Sequence, residues 1–66
     1  MINNKVFRVK KDSVISSINL PLKQGQEIEV VMDVVYMGGF MVQTTLQKSM
    51  LDWIIENPSL LLDVTK

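Results

Sequence analysis

Gly38-Gly39 stands between two runs of large side chains, Val34-Val35-Tyr36-Met37 and Phe40-Met41-Val42-Gln43. A glycine pair supplies positive φ at both central positions of a type I′ turn, the turn whose twist suits a two-residue β-hairpin loop. That loop fixes a register in which Met37 faces Phe40, Tyr36 faces Met41 and Val35 faces Val42. A chain committed to this hairpin is committed to a sheet, so the remaining segments must supply its other strands.

Alternation of apolar and polar residues locates them. In Lys5–Lys10, Phe7 and Val9 share one face and Val6 takes the other. Residues 12–22 alternate over a longer span, with Val14, Ser16, Ile18, Leu20 and Leu22 on one side and Ser17 and Asn19 opposite, which predicts a half-buried strand. Pro21 cannot donate to a ladder, so that strand lies at an edge or breaks there. Leu22–Gln26 reads as a turn around Gly25. Residues 27–33 resume the period, with Ile28, Val30 and Met32 inward and Glu27 and Glu29 outward, and Asp33 allows a short kink before Val34.

After the hairpin the period changes. Thr44 and Gln47 fit a capping box, and a helix over 46–57 follows, ending before Pro58 because the residue preceding proline disfavours the α region. Leu46, Met50, Trp53 and Ile54 form its apolar stripe, which Leu51 and Ile55 widen beyond what one small core needs. Residues 59–65 read as a last strand, with Leu60, Leu62 and Val64 on one side and Leu61 and Asp63 on the other; a second short helix opened by Asn57 and Pro58 is the rival reading. The expectation is a single domain over 1–66, mainly β: a five-stranded small barrel or curled antiparallel sheet with one C-terminal helix.

Such a domain has little to hold it beyond packing. Its 66 residues include no Cys and no His, which removes disulfides and the usual zinc ligand sets, while the 47% apolar content suits a folded globule. Well-ordered packing or association must supply the stability. The same absences remove the commonest general bases and nucleophile partners. Glu27 and Glu29 share a strand face, where paired carboxylates serve solubility far more often than catalysis. No phosphate-binding, dinucleotide or calcium-loop pattern occurs. The sequence therefore offers no catalytic, cofactor-binding or metal-ligating residue, and the expectation is a protein that is not an enzyme. The first residues lack the apolar run of a signal peptide, and no stretch approaches the roughly 20 apolar residues of a membrane helix. The cytoplasm of the producing cell is the default location.

Net charge is zero but unevenly spread. Residues 1–24 set Lys5, Arg8, Lys10, Lys11 and Lys23 against Asp12 alone, and residues 25–66 set Lys48 and Lys66 against Glu27, Glu29, Asp33, Asp52, Glu56 and Asp63. Folding either interleaves the halves or leaves a bipolar molecule suited to a charged partner. The five N-terminal cations define a nucleic-acid alternative, although the one ring among them, Phe7, alternates with Val9 as a core residue does.

The arrangement resembles an SH3-like barrel: Lys5–Lys10 as first strand, the 11–26 excursion as the long first loop, Gly25–Val31 leaving a turn, and the Gly38-Gly39 hairpin as the distal loop. The row of aromatics and acidic loop of peptide-binding SH3 domains are missing, so no Pro-rich ligand carries over, and the 46–57 helix exceeds the single 3₁₀ turn usual there. The tail Met50–Val64 behind a compact β-rich body looks similar to small accessory proteins of tailed bacteriophages. That resemblance implies a virion component or an inhibitor of a host protein, located in the host cytoplasm or in the virion. Protein binding is the function class these features favour. The expected partner is a second copy of the chain or a larger protein, with the helix face Leu51, Trp53, Ile54 and Ile55 and the hairpin tip Tyr36, Met37, Phe40 and Met41 as anchors.

Overall fold

The computed structural model describes residues 4–66. Seven strands, one α-helix and one 3₁₀ turn run in the order β1 (Lys5–Val9), β2 (Ser13–Ile15), β3 (Leu20–Leu22), β4 (Glu27–Val31), β5 (Val34–Met37), β6 (Phe40–Met41), α1 (Thr44–Glu56), the 3₁₀ turn Pro58–Leu60 and β7 (Leu61–Asp63). Five strands make one antiparallel sheet in the order β6-β5-β4-β1-β7, while β2 and β3 pair separately as a hairpin. The protein is thus mainly β with one helix, as expected. The sheet does not close into a barrel: β6 and β7 are its two edges and do not pair with each other.

Register separates the sheet into two faces. Phe7 opposes Ile28 and Ile28 opposes Met37, while Val30 opposes Val35, so these side chains share the inner face. Val6, Glu29 and Tyr36 form the neighbouring row on the outer face. The inner face carries Val9, Ile28, Val30, Val35 and Leu61 into one core with Ile15 and Leu22 from the β2–β3 hairpin and Met50, Trp53 and Ile54 from α1. The hairpin and the helix together cover one side of the sheet.

Three turns decide the register, and two of them carry no glycine. Gly38 and Gly39 have φ of 60° and 82° and join Met37 to Phe40 in the expected pairing. The hairpin between β4 and β5 is closed by Met32 and Asp33, both at positive φ (50° and 64°), with Val31 opposite Val34. A turn therefore replaces the expected kink, and Met32, expected inward, is 72% exposed. Residues 12–22 are two strands rather than one. Ser16–Asn19 form a loop closed by Ile15 opposite Leu20, held by Ile18 N–H to the Ile15 carbonyl (3.2 Å), with Asn19 at φ 55°. This reversal turns Ile15 inward and leaves Val14 exposed, the opposite of what continuous alternation predicts. Pro21 is exposed in β3, an edge strand of this two-stranded pair, where a residue without a backbone donor is tolerated.

The helix begins at Thr44 rather than 46, and the capping box is not made: Gln43 is the N-cap, with no side-chain cap bond. At the other end the Asn57 side chain and backbone N–H both donate to the Trp53 carbonyl, each at 2.9 Å, satisfying an orphan acceptor before Pro58 stops the helix. Residues 57–63 combine both rival readings, a 3₁₀ turn followed by a strand, and the strand turns Leu61 inward and Leu62 outward. The choice of side follows from Leu61 opposing Val9, a core residue of β1.

Candidate protein-interaction surface

The β5–β6 hairpin projects its tip from one edge of the sheet, and a single side chain fixes its base. Val42 donates to the Val35 carbonyl at 3.0 Å, but the reciprocal ladder bond is replaced by Gln47. The Gln47 side-chain oxygen accepts from Val35 N–H at 2.7 Å, and its amide nitrogen donates to the Val35 and Val42 carbonyls at 3.0 and 2.8 Å. The amide wedges between the strands where β6 ends and binds the first turns of α1 to the hairpin. Sequence reading found Gln47 through the capping pattern and assigned it the wrong partners.

Beyond this lock the tip side chains divide between faces. Met37 is half-buried and packs on the core, and Tyr36 is half-buried on the outer face beside Glu29. Phe40 and Met41 lie on the edge strand with no further strand beyond them among the described residues and are 79% and 58% exposed.

The helix residues expected as anchors separate. Trp53 and Ile54 are core side chains, at 9% and 4% exposure. Leu51 packs partly against the core. Ile55, about 100° round the helix from Ile54, is 63% exposed. The α1 helix leaves β6 at one edge and leads to β7 at the other. Its 13 residues span roughly 20 Å, close to the roughly 19 Å that four interstrand spacings separate those edges. Ile55 therefore lies towards β7, and the tip and helix residues do not form one patch.

The basic N-terminal residues also divide. Lys5 pairs with Asp63 at 3.2 Å and Arg8 with Glu27 at 3.1 Å, so folding interleaves part of the basic and acidic segments. Lys10, Lys11 and Lys23 are exposed without an ion pair among the described residues. Asp12 accepts from Gln24 N–H at 2.8 Å and ties together the two ends of the β2–β3 excursion.

Across the outer face runs an open trough. One part, about 560 Å³, is lined by Val6, Arg8, Glu27, Glu29 and Val64, and the other, about 380 Å³, by Tyr36 and the two glycines of the tip. Beside it, Thr65 supplies Oγ1 to Val6 N–H at 2.8 Å and its own N–H to Asp63 at 2.9 Å. The Thr65 hydroxyl and N–H, then the Lys5 ammonium, lower the Asp63 carboxyl to about 2. Among the described residues no helix is long and apolar enough to cross a membrane. Compared with protein-family models, curated proteins and solved structures, the chain matches none of them.

Proposed function

We propose that the chain is a non-enzymatic protein-interaction module that binds through the tip of the β5–β6 hairpin. One observation carries this reading: Phe40 and Met41 stand exposed on an edge strand, inside a stretch, Val34–Gln47, without a single charged residue. Exposed apolar side chains on both faces of a charge-free edge strand favour an interaction surface there, and Met adapts to varied partners. The resemblance to SH3-like accessory proteins of tailed bacteriophages gives the reading its setting, a virion component or an inhibitor docked on a host protein in the host cytoplasm. The nucleic-acid alternative has less behind it, because Lys5 and Arg8 are already paired with carboxylates.

The test is light scattering behind size exclusion, over a wide concentration range and at two salt levels, with the double substitution Phe40→Lys and Met41→Lys. Both positions are exposed, so the fold survives. Association that falls at least tenfold in the variant and hardly responds to salt in the parent supports the tip. A variant that retains every association of the parent protein overturns it.

A further inference from the structure

We infer that the occupant of the tip is a second copy of this chain, joined strand to strand along β6 in an antiparallel register centred on Met41. The inference rests on the tip reading and specifies its partner and its geometry. Hydrogen bonding in an antiparallel hairpin alternates along the strand. Phe40 is the partner of Met37 beside the two-residue loop, and Val42 donates to Val35, so both turn their backbone groups towards β5. Met41 lies between them and points its N–H and C=O to the open side of the sheet. A row of such groups is a template for another strand.

Of the two edges, β6 is the one left open to pairing. Proteins blunt exposed edges with charges and prolines. The β7 edge has Asp63 clasped by Lys5 and Thr65, and Arg8 opposite Leu62. The β6 edge carries neither charge nor proline, for Val34–Gln47 contains none, and only its two-residue length limits pairing there. A two-fold axis through Met41 lets the two Met41 residues exchange a pair of backbone hydrogen bonds. It sets Phe40 of each copy opposite Val42 of the other on the inner face, as a close non-hydrogen-bonded pair. The edge is complementary to itself: apolar side chains meet apolar side chains, and no like charges are opposed. The product is a continuous ten-stranded sheet. With so few residues paired, the interface lies at the small end of specific contacts, and the dimer depends on protein concentration.

Amide hydrogen exchange, followed by NMR from dilute to concentrated protein, tests the pairing directly. Exchange at Met41 slows by about tenfold or more as the dimer fills, while the Asp63 amide on the opposite edge stays unchanged. Met41→Pro removes the outward donor without touching a bond to β5, and it leaves the protein monomeric at concentrations where the parent is dimeric. If that variant does not fold, the exchange measurement on the unaltered chain decides alone. A dimer whose Met41 amide exchanges as fast as in the monomer overturns strand pairing and leaves the tip acting through its side chains. A chain that stays monomeric at every concentration, with Phe40 and Met41 engaged by a different protein, overturns the second copy while the interaction-module reading stands.

Discussion

Asp63 shows how much local chemistry one residue of β7 concentrates. Its carboxyl, held at about 2 against an ordinary 3.8 by Thr65 and then Lys5, binds fewer protons in the folded than in the unfolded state. The contribution to stability is present above the unfolded value and is lost as pH falls from about 4 through about 2. Asp63→Asn should lower the urea midpoint slightly near pH 7, the group being exposed, and the difference from the parent should shrink as pH falls from about 4 through about 2. A difference that persists unchanged in acid would separate the destabilisation from the titration. None of this was legible in the sequence, because Lys5 and Asp63 lie at opposite ends of the chain and meet only through the pairing of β1 with β7.

Between elements, the joint that matters is the Gln47 side chain between α1 and the β5–β6 hairpin. Gln47→Ala leaves the Val35 N–H and the Val42 carbonyl without their side-chain partner in a part-buried position. The expected loss is about 2 kcal/mol in urea unfolding, from groups that cost roughly 1–3 kcal/mol each when left unmet. The hairpin amides should also exchange faster in this variant than those of β1. Elements of this kind were readable where their signals are local. The Gly38-Gly39 turn gave the tip its register, and strict alternation gave β4 its buried Ile28 and Val30. The Ser16–Asn19 and Met32-Asp33 turns were missed because they reach positive φ through Asn, Met and Asp, and only glycine announces that conformation strongly. The side chains expected as anchors followed the same rule: Phe40 and Met41 were placed on the hairpin by the turn, whereas burial of Trp53 and Ile54 depends on where the helix crosses the sheet.

For the whole molecule the governing fact is a small core serving three layers of contact. At roughly 0.05–0.15 kcal/mol per residue, a chain of 66 residues has about 3–10 kcal/mol of stability. Met50 is fully buried where the helix, the sheet and the β2–β3 hairpin converge. Met50→Ala is expected to cost about 2–5 kcal/mol, a large part of that total. Thermal unfolding should show an early, broad transition for this variant. Retention of the parent melting temperature would mean that the cavity collapses without loss.

The helical crossover between the two edges also has a consequence for any state in which β7 is undocked. With β7 undocked, β1 has β4 on one side and no strand on the other among the described residues. In that state β1 is itself a sheet margin, open to pairing with a neighbouring chain. Lys5, Arg8, Lys10 and Lys11 lie along and just beyond this strand. Cations so placed are what keep a margin from joining its neighbours. Of the four cations, Arg8 is held by Glu27 across β1 and β4, and Lys5 finds Asp63 only when β7 docks, so the charge that guards the open margin becomes the clasp of the finished edge.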